Sequence, residues 1–155
     1  MESPELSLFT ADDIMTPDVI SVCPDTTVAQ AIDLFEKYGV SGLPVVDDEN
    51  RLLGMITEYD LLHSICTLEM RGIVADFMTR NVITVEDHAS LVDIVNTLLS
   101  TRIRRVPVVS DGRLVGVISR RDLLFAGKIR QQLLTELPDI SLDAVVSCDA
   151  SESAS

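Results

Sequence analysis

Gly116-Val117-Ile118-Ser119-Arg120-Arg121-Asp122-Leu123-Leu124 is the second writing of a motif that first stands as Gly54-Met55-Ile56-Thr57-Glu58-Tyr59-Asp60-Leu61-Leu62. Each copy runs from an apolar strand into a small hydroxyl residue, with an aspartate three positions on. Hydroxyl-x-x-acid before an apolar run is a helix-start pattern, in which side chain and backbone satisfy each other's orphan groups. The same hydroxyl and carboxylate could also face a ligand, and either motif alone leaves both readings open.

The recurrence extends well beyond this motif. Asp13-Ile14-Met15-Thr16-Pro17-Asp18-Val19-Ile20-Ser21-Val22 matches Asp76-Phe77-Met78-Thr79-Arg80-Asn81-Val82-Ile83-Thr84-Val85 at an offset of 63. Leu43-Pro44-Val45-Val46 and Val106-Pro107-Val108-Val109 keep that offset. It falls to 62 because the turn Asp47-Asp48-Glu49-Asn50 is one residue longer than Ser110-Asp111-Gly112. A proline, a glycine and an aspartate held in register identify an internal duplication.

Each copy reads as the same unit. The apolar runs Val19–Val22 and Val82–Val85 predict a short strand. Thr27 with Gln30 three residues later is a capping box. Val28, Ala31, Ile32 and Phe35 then share one helical face, and Gly39 suits a left-handed helix stop. In the second copy Ser90 and Asp93 cap a helix carrying Leu91, Ile94, Val95 and Leu98. Leu43–Val46 with Leu52–Ile56, and Val106–Val109 with Leu114–Ile118, read as hairpins. Further helices follow from Glu58 and Arg120. The fold class is therefore α+β, two βαββα repeats. One such unit of about 60 residues buries only about 60% of its surface, so the repeats are expected to pack through their sheets with pseudo-twofold symmetry and two related clefts. The expected segmentation is 1–9 as an N-terminal segment, 10–66 as repeat 1, 67–72 as linker, 73–134 as repeat 2 and 135–155 as an acidic tail whose last part is expected to be disordered.

Composition narrows the function classes. The chain has 155 residues, is 46% hydrophobic but only 4% aromatic, and has no tryptophan. These proportions point to a Val, Leu and Ile core. No apolar run approaches the roughly 18 residues that cross a bilayer, and the acidic start lacks the basic region of a signal peptide. Cys23, Cys66 and Cys148 make an odd set without a CxxC pair; Cys23 and Cys66 read as core thiols. A cytoplasmic location is expected. The net charge is −13, yet residues 71–135 carry ten basic and six acidic side chains. Arg102, Arg104, Arg105, Arg113, Arg120 and Arg121 concentrate there, but the total charge and the lack of aromatic interleaving argue against nucleic acid. His63 and His88 have no spaced partner, and Asp47, Asp48 and Glu49 read as a turn, so neither an enzyme nor a metal site is indicated.

Taken together, the Met-Thr-x-x-Val-Ile-x-Val openings at 15–22 and 78–85, the Pro-Val-Val cores, and the Gly-x-Ile-[Thr/Ser]-x-x-Asp-Leu-Leu endings resemble a tandem pair of cystathionine-β-synthase (CBS) domains, a Bateman module. The resemblance covers residues 10–126. It implies a non-catalytic regulatory sensor that binds an adenosine-containing small molecule between the repeats, assembles as a homodimer and acts on a regulated protein that the sequence does not name. It also implies that the aspartate of one repeat works with the opening strand of the other. One site would draw on Thr16, Ile20, Leu43, Arg104, Ser119 and Asp122; its mate on Thr79, Ile83, Val106, Thr57 and Asp60.

The residue chemistry agrees with those roles. A carboxylate accepts from the two donor hydroxyls of a ribose, and a hydroxyl at a helix start sits beside free N–H groups that suit phosphate. Arg104 and Arg105 stand where repeat 1 has Ser41 and Gly42, and arginine grips phosphate bidentately. The expected ligand is thus AMP, ADP or ATP, with S-adenosylmethionine as the alternative. One competent site is expected at Asp122 and a weaker or empty one at Asp60. A purely structural dimerisation module and nucleic-acid binding through the basic patch of repeat 2 are the remaining alternatives.

Overall fold

A computed structural model of the chain describes residues 9–66 and 71–135. The expected N-terminal segment up to residue 8, linker residues 67–70, the acidic tail beyond 135 and Cys148 lie outside the described residues.

The two hairpins are near copies. In repeat 1, β1 (Gly42–Val46) pairs antiparallel with β2 (Leu52–Thr57); in repeat 2, β4 (Arg105–Ser110) pairs with β5 (Arg113–Ser119). Leu43 faces Ile56 as Val106 faces Ile118, and both ladders shift register at the equivalent step, Val45/Val46 and Val108/Val109. Helices flank them: α1 (Ala11–Ile14), α2 (Val28–Tyr38) and α3 (Glu58–Cys66), then α4 (Leu91–Thr101) and α5 (Arg120–Thr135). The capping box at Thr27 forms, with the Thr27 N–H donating to Gln30 Oε1 at 3.0 Å and the Gln30 N–H donating to Thr27 Oγ1 at 3.1 Å. Ser90 Oγ accepts from the Asp93 N–H at 3.2 Å.

The opening strands are shorter than their apolar runs predict. Val22 makes only an isolated parallel bridge to Val45, and repeat 2 has a two-residue strand, β3 (Val85–Glu86), parallel to β4. Val19, Ile20, Val82 and Ile83 instead leave the sheet and line a central cleft. Their hydrophobicity serves that wall rather than a ladder.

The repeats meet by main-chain bridges at five places, Thr10–Ser90 and Thr27–Ile73 among them. Arg51 and Arg113, which are equivalent residues, bridge each other at the hairpin turns and so mark the pseudo-twofold axis. Asn50 reinforces the contact, its Nδ2 donating to the Leu114 carbonyl at 2.7 Å. Thr16 pairs with Val117, and Thr79 with Met55, each through two reciprocal N–H···O bonds. The opening of each repeat therefore extends the hairpin of the other.

This exchange reaches into both cores. Ala11, fully buried, packs with Val85, Leu91, Ile94, Val106 and Ile118 of repeat 2, with Phe9, Ile14 and Met15 beside it. Val74, likewise fully buried, packs with Val22, Val28, Phe35, Leu43 and Ile56 of repeat 1, with Phe77 and Met78 alongside. It also explains the repeated glycine. A Cβ on Gly54 would come within 2.6 Å of the Thr79 carbonyl oxygen, and one on Gly116 would collide with the Met15 side chain.

Cys23 and Cys66 are both exposed, not core thiols. Cys23 follows the last in-facing residue, Val22, and its N–H donates to Thr26 Oγ1 at 3.0 Å in the turn before α2. Cys66 ends α3 beside the outward face of Leu62 and Ile65.

Candidate functional site

Between the two hairpins lies a cleft of about 660 Å³, a volume in the range of small-molecule sites. The two clefts expected from the duplication run together into one, because the opening segments 16–20 and 79–83 both front the same space. Residues from the two hairpins and both openings line it, including Pro44, Pro107, Met55 and Val117.

Ten of the twelve residues singled out from the sequence line this cleft. Thr16, Ile20, Leu43, Arg104, Arg105, Ser119 and Asp122 do so, as do Thr57, Thr79 and Ile83. Asp60 and Val106 are not among the lining residues. Val106 is fully buried in the core of repeat 2, one layer behind the wall. Thr16 reaches the second hairpin because its pairing with Val117 sets it two residues along the strand from Ser119.

Both hydroxyl–aspartate motifs do form helix caps. Asp122 Oδ2 accepts from the Ser119 N–H at 2.9 Å, and Ser119 Oγ accepts from the Asp122 N–H at 3.1 Å. Asp60 Oδ2 accepts from the Thr57 N–H at 3.0 Å and Thr57 Oγ1 accepts from the Asp60 N–H at 3.2 Å. Capping uses one carboxylate oxygen of each, and the second oxygen has no hydrogen bond among the described residues. The copies differ in one bond. The Thr57 hydroxyl donates to Asp60 Oδ2 at 2.9 Å, whereas the Ser119 hydroxyl proton makes no such bond and is left for other acceptors.

Positive charge gathers on the repeat 2 side. Arg102, Arg104 and Arg105 line the cleft and are solvent-accessible. Their counterparts Gly39, Ser41 and Gly42 are uncharged. Among the described residues none of the three has a carboxylate within ion-pair distance; the only pairs are Arg51–Glu49 and His88–Asp87, both at the surface. The Arg104 carbonyl accepts the first N–H of α5 from Arg120 at 3.1 Å, as the Ser41 carbonyl accepts from Glu58 at 2.9 Å. Arg120 and Arg121 stay outside the cleft, and Arg121 lies over the Phe125 ring at 5.9 Å. Arg113 stands at the turn end of the β4–β5 hairpin, opposite Ser110, about 17 Å from Arg105 along the strand. The six arginines thus form no single strip.

Sequence reasoning passed over Asp18, Asn81, Val40 and Ile103, which also line the cleft. Asp18 and Asn81 are matched residues just inside the Met-Thr openings, a signal that was there to be used. Among the described residues no three His, Cys, Asp or Glu side chains gather closely enough to hold a metal. No helix among them is long and apolar enough to cross a membrane.

Comparison with known proteins agrees with this architecture. The family model described as CBS domain matches twice, over residues 11–66 and 74–128. The inosine-5′-monophosphate dehydrogenase of Methanocaldococcus jannaschii is 38% identical over 122 residues, which are 78% of this chain but 24% of that protein. The chain thus spans about a quarter of the length of that relative. The structure of CBSX2 in complex with AMP superposes with a TM-score of 0.72 at 35% identity, covering 79% of this chain and 98% of that one. A CBS domain pair solved with 5′-methylthioadenosine and S-adenosyl-L-methionine gives a TM-score of 0.68 at 28% identity, covering 77% of this chain and 98% of that one. Two matched units, exchanged openings and the shared fold have one reading: the chain belongs to the CBS-domain family and carries two CBS domains in tandem.

Proposed function

We propose that the chain is a non-catalytic, cytosolic sensor of adenine nucleotides. The nucleotide lies in the central cleft with its ribose on Asp122 and its phosphate toward Arg104 and Arg105. Adenine is held between Ile20 and Leu43, Thr16 and Ser119 flank the ribose and phosphate, and occupancy is read out through the packing of a homodimer or of a regulated partner. The observation that carries this reading is the conjunction, on one wall, of a carboxylate with a free oxygen, a hydroxyl with a free proton and arginines without acidic partners. A ribose supplies donors for the first, and a phosphate supplies acceptors for the other two. The neighbour solved with AMP is consistent with it.

The arginines favour AMP, ADP or ATP over S-adenosylmethionine, whose tail carries a positive sulfonium. A neighbour holds that adenosyl compound, so it remains the second ligand to test. Thr57, Thr79 and Ile83 form the opposite wall, where Asp60 lies outside the lining and Glu58 follows Thr57. That wall is assigned the weaker role.

Dimerisation has its own support. Tyr59, Leu62 and Ile65 on α3, and Leu124, Phe125 and Ile129 on α5, are large apolar side chains left more than 45% exposed. Contiguous apolar faces of this kind mark contact surfaces, and a second copy of the chain is the assigned occupant. Isothermal titration with AMP, ADP, ATP and S-adenosylmethionine on wild type, Asp122→Ala and Arg105→Ala tests the ligand assignment. Binding of a nucleotide that both substitutions weaken is the expected result, and failure of all four ligands would sink it. Light scattering tests the dimer.

A further inference from the structure

Arg102 has a backbone that its chemistry does not favour. It closes α4 with φ 58° and ψ 21°, in the left-handed region, its N–H donating to the Leu98 carbonyl at 2.9 Å. The matched residue in repeat 1 is Gly39, at φ 63° and ψ 30° with the equivalent bond to Phe35. The left-handed region costs any residue with a Cβ and costs glycine nothing. The local geometry therefore calls for glycine at both sites, and only repeat 1 has it. Retention of a strained residue points to a use for its side chain.

The cleft supplies that use. Arg102 lines it, is solvent-accessible and has no ion-pair partner among the described residues. Arg104 and Arg105 already offer two guanidinium forks, sufficient for one phosphate. Arg102 adds a third, with its Cα no more than about 7 Å from that of Arg104 along the chain. Among the described residues the cleft is lined by only two carboxylates, Asp18 and Asp122, and Asp122 is committed to the α5 cap through one oxygen. The positive charge on this wall exceeds what one phosphate group uses.

We propose that Arg102 is a specificity-determining residue whose guanidinium takes the second phosphate, so that the cleft prefers a nucleoside di- or triphosphate to a monophosphate. The proposal rests on the adenine-nucleotide reading and deepens it. Glycine is the fitting substitution, because Arg102→Gly removes the guanidinium and relieves the backbone together. Arg102→Asn, which also tolerates the left-handed region, is a second neutral variant.

The test is calorimetric titration of AMP, ADP and ATP into wild type and both variants, with a thermal melt of each. Wild type is expected to bind ADP and ATP about tenfold more tightly than AMP. Both variants are expected to lose that preference while AMP affinity changes by less than about twofold, and Arg102→Gly is expected to melt no lower than wild type. If wild type binds AMP as tightly as ADP, or if the variants weaken all three nucleotides alike, the assignment of Arg102 is overturned and the adenine-nucleotide reading stands. If none of the three binds wild type, both fall.

Discussion

The two repeats are close copies in backbone and opposites in charge. Their hairpins share register and bulge, and their hydroxyl–aspartate pairs form the same cap. Yet Gly39, Ser41, Gly42 and Glu58 stand in one where Arg102, Arg104, Arg105 and Arg120 stand in the other. Equivalent positions under equal structural demand that differ in charge reveal what the scaffold does not require. Capping is common to both copies, and the arginines belong to one.

That comparison can be broken experimentally, and the aspartates give the largest effect. Asp60→Ala and Asp122→Ala remove the same cap, but only Asp122 lines the cleft. Nucleotide affinity should fall about 10- to 100-fold in Asp122→Ala and stay within about twofold in Asp60→Ala, read by calorimetry. Equal losses would mean that both aspartates act through the fold alone. In chemical denaturation each should cost about 1 kcal/mol for the lost cap, with Asp60→Ala the costlier because it also loses the bond from the Thr57 hydroxyl.

The glycines come next. Ala at position 54 meets the Thr79 backbone, which cannot move without the inter-repeat pairing. Gly54→Ala should cost about 2–3 kcal/mol by urea denaturation, at the upper end for overpacking. At position 116 the obstacle is the Met15 side chain, and methionine repacks readily. Gly116→Ala should cost about 1 kcal/mol, and the reverse order would show that the two pairings are not equally rigid. The smallest effect should come from Glu49→Ala at the first hairpin turn. Its 3.1 Å pair with Arg51 is about 60% exposed on both sides, so the change should stay below about 0.5 kcal/mol.

Much of the fold was legible because its signals are local. Thr27 with Gln30, Ser90 with Asp93 and the two hydroxyl–aspartate motifs each satisfy backbone groups within three residues, and all four caps form. The hairpins were legible from their apolar runs and turns. The opening strands were misread, since a run such as Val19–Val22 looks the same facing a ladder or a cleft. Cys66 was misread for a related reason: α3 carries apolar residues on two faces, and only one meets the core. Of the candidate site, the seven residues named on the Asp122 side all line the cleft. Asp60 was included by symmetry and lies off the lining, while Asp18 and Asn81 line the cleft and were signalled only by their matched positions in the two openings.

Sequence alone determined the duplication, the caps and the hairpins, whereas the reason Gly54 and Gly116 recur lies in the close approach of the other repeat's opening. Which opening docks on which hairpin was implied by the family resemblance and not by local chemistry. Asp13–Val22 and Asp76–Val85 match so closely that either fits either glycine edge by local chemistry. Connectivity and packing decided it: Ala11 and Met15 complete the core beside Gly116, and Val74 and Met78 the core beside Gly54. That choice sets Thr16 across from Val117, two residues along the strand from Ser119, and joins both openings around one cleft. Neither is written in any single stretch of chain, because the first depends on segments about a hundred residues apart, and the second on openings 63 residues apart, meeting in space.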